Sequence, residues 1–117
     1  MSSEERWRLR ILHIKDNVRK IHDYTAGYDF DKFGHDLKTI DAVIRCFQVM
    51  GEAARKVPDH IRARFPDVPW KKIAQFRDIV VHDYDAINIG LMWKIIQENL
   101  PAVKNELDKI PVSEKDL

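Results

Sequence analysis

The sequence predicts an all-α protein, namely an up-and-down four-helix bundle with one additional short helix. Its 117 residues are 44% hydrophobic and 33% charged, with only 4 Gly and 5 Pro. A composition rich in charge and poor in helix breakers is typical of helical proteins. Apolar residues recur at spacings of three and four along four long segments, which is the pattern of helices with one buried face. We therefore expect a single domain over residues 1–117, with a helical core at about 4–110 and a frayed tail at 111–117.

The first helix is predicted to begin after Ser2 and Ser3, with Glu4 and Glu5 in its first turn, where carboxylates interact favourably with the helix dipole. Gly27 is a natural residue just past its last turn. Its apolar stripe comprises Trp7, Ile11, Ile14, Val18 and Ile21.

The second helix is predicted from about Asp31 to Val57, and its later half is apolar on a wide arc. One stripe comprises Phe33, Leu37, Ile40, Ile44, Phe47, Gly51 and Ala54, and a neighbouring stripe comprises Val43, Cys46, Met50, Ala53 and Val57. The second stripe has two interpretations: this is a central helix that touches two neighbours, or the stripe packs against another subunit.

The remaining segments predict a short helix, a loop and two long helices. The short helix covers Asp59–Phe65, and a third long helix begins near Trp70, with Ile73, Phe76 and Val80 on its apolar face. Asp85 is a fair N-cap for the last helix. Pro101 should kink that helix, because proline lacks a backbone donor and crowds the preceding turn. The apolar face of the last helix comprises Ile89, Met92, Trp93, Ile96, Leu100, Val103, Leu107 and Ile110.

Charge and cysteine content restrict the function classes. A net charge of +1 gives no general attraction to nucleic acid, so any such binding needs a local patch. The single cysteine, Cys46, excludes an intrachain disulfide and suits a reducing compartment. The charged N-terminus lacks the apolar core of a signal peptide, and no window approaches the roughly 20 apolar residues of a membrane span. We expect a soluble cytoplasmic protein.

The sequence offers no metal site and one basic region. The five histidines show no ligand spacing with each other or with the cysteine, and there is no Gly-rich phosphate loop, so no cofactor is expected. The segment from His60 to Arg77 contains five arginines and lysines, including Arg77, and a single carboxylate, Asp67. Such a patch either covers a helix surface or holds phosphates. The candidates for RNA or phosphate binding are Arg62, Arg64, Lys71 and Lys72.

The stretch RDIVVHDY, residues 77–84, places an arginine, a histidine and a tyrosine around three β-branched residues. Arg77 and His82 are five residues apart, so on an undisturbed helix they point about 140° away from each other. They act on one group only if the helix ends between them or a second chain contributes. A permanently charged arginine can stabilise a phosphoryl transition state, and a histidine can move a proton.

This stretch resembles the signature of the HEPN superfamily, and within it the HepT-type toxins of bacteria and archaea. Their mark is Arg-x4-6-His, extended in the HepT branch to Arg-x4-His-x-Tyr, which Arg77, His82 and Tyr84 match. Asp78 fits the polar residue that often follows the arginine. Three further stretches resemble the branch in the same order, over roughly residues 6–110: MGEAA at 50–54, VPWKKIA at 68–74, and Trp93 through Leu100-Pro101. One departure is Phe76, where these proteins often carry methionine.

The resemblance implies a metal-independent endoribonuclease that dimerises through helix faces, with both motifs lining a shared cleft. Metal-free RNA cleavage through the 2′-hydroxyl needs a base and an acid, and two chains supply two histidines. The expected catalytic residues are His82 for proton transfer, Arg77 for charge neutralisation, and Asp78, which orients Arg77 or the partner's His82. The expected products carry 2′,3′-cyclic phosphates.

The resemblance also implies a partner, a small nucleotidyltransferase antitoxin of the MntA type. This antitoxin is expected to silence the toxin by attaching AMP to Tyr84, which adds bulk and negative charge beside the RNA cleft.

Two other function classes remain open: a non-catalytic HEPN module that binds a nucleotide or docks onto a nucleotidyltransferase, and a dimeric scaffold. Intact Arg77 and His82 favour the ribonuclease. Glu52 has two interpretations as well: a structural carboxylate, which pairs with Arg55 or Arg77 or simply lies at the edge of the bundle, or a catalytic group.

Overall fold

The computed structural model describes residues 6–81 and 88–112, and of residues 79–81 it describes the backbone. Over this part all regular structure is helical, as predicted. The helices are α1 (Trp7–Thr25), α2 (Phe30–Gly34), α3 (Leu37–Arg55), α4 (Asp59–Arg64), α5 (Trp70–Val81), α6 (Ile89–Lys94) and α7 (Leu100–Asp108). A π-helical turn at Ile95–Asn99 connects α6 to α7 without interruption. None of the described helices is long and apolar enough to cross a lipid bilayer.

Helix α3 is the centre of the bundle and packs against both α1 and α5. Helix α1 also contacts α7, and the short helix α2 packs against both α3 and α6. The second apolar stripe of α3 is buried within the single chain: Val43, Cys46, Met50, Ala53 and Val57 are each at most 4% exposed. The interpretation as a central helix with two neighbours is therefore confirmed, and this stripe does not face another subunit.

Helix α1 has the predicted apolar stripe and the predicted end. All five stripe residues are buried, and Gly27 takes a positive φ of 77° just past the last turn. The start differs from the prediction. The helix begins at Trp7 after Arg6, which makes no side-chain cap, and the proposed start at residues 2–5 lies outside the described residues. The first turn of α1 contains no carboxylate.

The predicted second helix, residues 31–57, is two helices. Asp36 separates them because its carboxylate accepts hydrogen bonds from the Thr39 amide and the Thr39 hydroxyl, which makes it the N-cap of α3. The Tyr28 hydroxyl donates to the same carboxylate at 2.7 Å. These three bonds lower the pKa of Asp36 to about 2, with the Tyr28 bond as the largest cause. Asp29 caps α2 in the same way, by accepting from the Lys32 amide.

Helices α4 and α5 lie where they were predicted, and their connection is fixed by side-chain bonds. Arg62 donates to the carbonyl oxygens of Ala54 and Val57, at the end of α3, where backbone acceptors lack helical partners. The Trp70 indole donates to the Phe65 carbonyl at 3.0 Å. The predicted core residues Ile73 and Phe76 are fully buried, and the Val80 side chain lies outside the description.

Three predictions for the last helix need comment. Its N-cap is Asn88, which accepts from the Leu91 amide, and not Asp85, which lies outside the described residues. The helix continues through Pro101, and the π turn immediately before it widens the backbone where the proline ring would crowd the carbonyl four residues earlier. The tail prediction is wrong for its first residues, because Val112 is 7% exposed and Lys15 donates to the carbonyls of Ile110 and Val112. Burial lowers the pKa of Lys15.

Candidate active site

Arg77 lies on α5 at a point where this helix packs closely against α3. A Cβ atom added to Gly51 of α3 would lie 2.7 Å from the Arg77 Cβ and 3.1 Å from the Ala74 carbonyl oxygen. Real Cβ atoms do not make contacts as short as the first of these. The absence of a side chain at Gly51 therefore allows the two backbones to meet, and the base of the Arg77 side chain rests against α3.

The guanidinium group of Arg77 lacks a carboxylate partner in residues 6–81 and 88–112. The Arg77 side chain is half-buried. A half-buried, permanently charged group without an internal counter-ion retains its capacity to bind an anion from outside. This is the property that the sequence interpretation requires of a phosphate-stabilising arginine.

Asp78 contacts α3 through Arg55, whose guanidinium lies 3.0 Å from the Asp78 carboxylate. Both side chains are about half exposed, at 48% and 41%, so the pair contributes at most about 1 kcal/mol to stability. The prediction that Asp78 orients Arg77 or His82 stays a prediction. What the structure adds is a fixed position for the carboxylate, one residue beyond Arg77.

Arg55 was not singled out as a site residue from the sequence. Its position relative to Gly51 was a usable signal, because residues four apart lie on the same face of a helix. If the helix that contains MGEAA packs with Gly51 against the Arg77 motif, then Arg55, four residues after Gly51, lies on the same side and faces the motif too.

His82 and Tyr84 lie outside the described residues, so their predicted roles stay predictions. The structure does describe the chain up to them. Helix α5 continues from Arg77 to Val81 without a break, so the proposed helix end between Arg77 and His82 does not fall within residues 77–81. Both conditions under which the pair could cooperate, a helix end between Val81 and His82 and a contribution from a second chain, stay predictions.

The four candidate phosphate-binding residues are in different environments. Arg62 caps the end of α3, as described above, and its guanidinium is thereby engaged. Arg64 is exposed, with its guanidinium 5.8 Å from the centroid of the Trp7 ring. Lys71 and Lys72 are exposed on the first turn of α5. The structure thus separates one mainly structural residue, Arg62, from three that face solvent.

Glu52 is exposed on α3, and within the described part of the chain it makes no ion pair with Arg55 or Arg77. Of the two structural roles predicted for Glu52, the ion pair is not observed there, and the exposed position agrees with a place at the edge of the bundle. Among the same residues, no group of three or more His, Cys, Asp or Glu side chains is arranged to hold a metal ion.

The face of α3 that carries Gly51 and Arg55 also carries one exposed apolar residue, Leu37, and a partly buried one, Ile44. Leu37 is 73% exposed and Ile44 is partly exposed, although the sequence places both in the first apolar stripe. Successive intervals of seven, seven and four residues separate Leu37, Ile44, Gly51 and Arg55. These intervals place all four residues on one face of the helix. Leu37 and Ile44 form a short apolar strip on this face of α3, on the N-terminal side of Gly51.

Comparison with known proteins gives consistent results. The family model described as ribonuclease HepT-like matches residues 14–110. A protein of Methanocaldococcus jannaschii named as a candidate RNase is 37% identical over 100 residues, which are 86% of this chain and 83% of the relative. A protein of Thermococcus cleftensis named as a probable ribonuclease HepT is 31% identical over 97 residues, covering 83% of this chain and 88% of the relative.

A protein of Caldanaerobacter subterraneus, also named as a candidate RNase, is 29% identical over 103 residues, covering 88% of this chain and 92% of the relative. No solved structure matches the chain. With most of its length matched by the family model, the chain belongs to the HepT-like ribonuclease family.

Proposed function

We propose that this protein is a metal-independent endoribonuclease, the toxin of a toxin–antitoxin pair, with an active site shared by two chains. One observation carries the proposal: Arg77 is held against α3 by the Gly51 contact, half-buried and without a carboxylate partner in the described residues. Family membership supports the ribonuclease activity. RNA is the substrate, and we place the protein in the cytoplasm.

In the proposed mechanism, one histidine takes the proton of an RNA 2′-hydroxyl. The 2′-oxygen then attacks the adjacent phosphorus, and the bond from phosphorus to the 5′-oxygen breaks. A second histidine, from the other chain, gives a proton to the departing 5′-oxygen. Arg77 stabilises the negative charge on the phosphoryl oxygens. The products are a 2′,3′-cyclic phosphate and a 5′-hydroxyl.

The exposed apolar strip on α3 is the surface that we propose for the homodimer. Leu37 and Ile44 lie on the same face as Gly51, so a second copy seated on this strip would come close to both copies of Arg77. Replacing both residues with aspartate should convert a dimer into a monomer, as measured by light scattering after size exclusion. Dimers that persist in this double variant would rule out the strip as the interface.

The central test uses Arg77→Ala and His82→Ala, each of which should lower the rate of RNA cleavage by at least about 100-fold. If the site is shared, exchanging wild-type subunits with an excess of His82→Ala subunits should lower the cleavage rate per wild-type chain, because a mixed dimer has only one of the two histidines that the mechanism needs. A wild-type cleavage rate in a folded His82→Ala dimer would refute the mechanism. A cyclic phosphate on the product ends should be visible by mass spectrometry.

For regulation, we propose that an MntA-type nucleotidyltransferase transfers AMP from ATP to the Tyr84 hydroxyl, with release of pyrophosphate. Coexpression followed by intact-mass analysis tests this step. Complete neutralisation with unmodified Tyr84 would contradict it.

The second candidate function, a non-catalytic docking subunit, predicts tight binding to the nucleotidyltransferase without RNA cleavage. It also predicts no growth defect on induction and no effect of Arg77→Ala. Induction of wild type and variant, with growth and RNA integrity scored, separates the two functions.

A further inference from the structure

Positive charge is concentrated at one end of the bundle, although the whole chain carries a net charge of only +1. At this end the start of α1, the end of α3, α4 and the start of α5 come together. The basic end, as we name it, comprises Arg6, Arg8, Arg10, Arg55, Lys56, Arg62, Arg64, Lys71 and Lys72. The carboxylates on the same described segments are Glu52, Asp59 and Asp67.

Trp7 brings the arginines of α1 to this end. The Arg8 guanidinium lies 4.4 Å from the centroid of the Trp7 ring, and the Arg64 guanidinium lies 5.8 Å from the same centroid. The ring itself is 8% exposed, so it fixes α1 against α4 and offers little surface to a nucleotide base. Arginines that are far apart in the sequence are thereby placed side by side, which the sequence alone did not indicate.

Three residues of the basic end have no carboxylate partner among the described residues. Within residues 6–81 and 88–112, no carboxylate pairs with Arg64, Lys71 or Lys72. Like charges held together in this way repel one another, and a polyanion with regularly spaced phosphates relieves the repulsion.

The opposite end of the bundle differs in charge. The end of α1, α2 and the start of α3 carry Lys20, Lys32 and Lys38 against Asp23, Asp29, Asp31, Asp36 and Asp41. A bound RNA strand is therefore attracted towards the basic end and away from the opposite end. On α5, Lys71 and Asp78 are two turns apart on one face, about 10 Å, so the basic end begins close to Arg77.

We propose that the basic end binds the single-stranded RNA that flanks the cleavage site, and that Arg6, Arg8 and Arg10 of α1 form its outer part. The inference rests on the proposed ribonuclease function and names a substrate-binding surface outside the Arg77–His82 motif. Arginines on a surface of this kind contact phosphates and contribute affinity without base specificity.

The experiment compares two triple variants that remove the same number of charges. The test variant is Arg6→Gln/Arg8→Gln/Arg10→Gln, and the control is Lys20→Gln/Lys32→Gln/Lys38→Gln. The probe is a fluorescent single-stranded RNA, bound at several salt concentrations by each variant in the His82→Ala background. A second test variant, Lys71→Gln/Lys72→Gln, covers the case in which the arginine triple fails to fold.

We expect the arginine triple to weaken RNA binding about tenfold and to lower the salt slope by about 2, since each lost phosphate contact removes about 0.7. The control should stay within twofold of its parent. Equal weakening in both triples would mean a general charge effect and would overturn the proposal, as would unchanged binding in the arginine triple.

Cleavage assays in the otherwise wild-type protein keep this inference separate from the proposed function. The arginine triple should raise KM and leave kcat unchanged. An RNA that binds through the arginines but is not cleaved would refute the ribonuclease and retain the binding surface. Cleavage with an unchanged KM in the triple would refute the binding surface and retain the ribonuclease.

Discussion

The two sides of α3 are built differently, although both pack against a long helix. Towards α1 and the core, the helix presents Val43, Cys46 and Met50, each at most 3% exposed. Towards α5, it presents Phe47, whose ring meets that of Phe76 edge-on at 5.6 Å, and then Gly51, with no side chain, and Arg55, with a charged one. The first side buries apolar surface, which is the main source of stability. The second side brings two backbones together and leaves polar groups at the edge, which fixes the position of Arg77.

Met50 and Gly51 allow this comparison to be tested with adjacent residues. Met50→Ala should lower the free energy of unfolding by about 2–5 kcal/mol, because a fully buried side chain is lost and a cavity remains. The RNA cleavage rate per folded molecule should stay within a few-fold of wild type. Urea unfolding and active-site-normalised kinetics measure the two effects. A selective loss of kcat in a folded Met50→Ala protein would break the distinction between the two sides.

Gly51→Ala should show the opposite balance. The added methyl group meets the Arg77 Cβ, so α3 and α5 have to separate, at a stability cost of about 1–3 kcal/mol. Because Arg77 moves with α5, we expect kcat to fall at least about tenfold. Gly34→Ala is the matched control, since an added Cβ there has no neighbour within 4 Å. If both alanine variants cleave RNA like wild type, the contact has no role in positioning.

A double-mutant cycle on Arg55 and Asp78 tests the polar edge of the same side. The coupling free energy for unfolding should be about 0.2–1 kcal/mol, as for other exposed ion pairs. For kcat/KM, the effects of Arg55→Ala and Asp78→Ala should be non-additive if Arg55 acts by holding Asp78. Strict additivity would show that Arg55 and Asp78 act independently of each other.

The N-cap of α3, Asp36, is common to both sides of the helix. Its removal should have the smallest effect on stability among these changes. The folded-state pKa of Asp36, about 2, is below the ordinary value of a free aspartate, about 3.9. The ionised carboxylate therefore stabilises the fold above about pH 4, and this contribution is lost as the pH falls from about 4 towards 2. Unfolding of wild type and Asp36→Asn over this range measures it. The difference between the two proteins should shrink as the pH falls, and a constant difference would contradict the assignment.

The helices with a single clear stripe were predictable from sequence, and the interruptions depended on individual side chains. Helix α1 and helix α5 follow their three-and-four spacing, because periodicity reports the buried face directly. The break between α2 and α3 was missed because Phe33 and Leu37 continue the spacing across it, while the competing bonds to Asp36 come from Tyr28 and Thr39. Whether an aspartate such as Asp36 caps a helix depends on its hydrogen-bond partners, and the spacing of the apolar residues does not reveal these partners.

The candidate site was predictable in its residue types and not in its geometry. The motif identified Arg77 and Asp78, and the resemblance attached MGEAA to the same family. That Gly51 touches Arg77, and that Arg55 reaches Asp78, depends on the angle and register between α3 and α5. The grouping of Arg8 with Arg64 likewise depends on a shared contact with Trp7.

Gly51 has a consequence for selection experiments. Every substitution at this position adds volume, so it has no conservative replacement. In a library of variants of this protein selected for those that cells tolerate, substitutions at Gly51 should therefore be enriched, as should substitutions at Arg77 and at His82. The surviving chains would retain every group that takes part in the proposed reaction and would differ only in the spacing of two helices. A ribonuclease of this design can be inactivated through its packing as readily as through its chemistry.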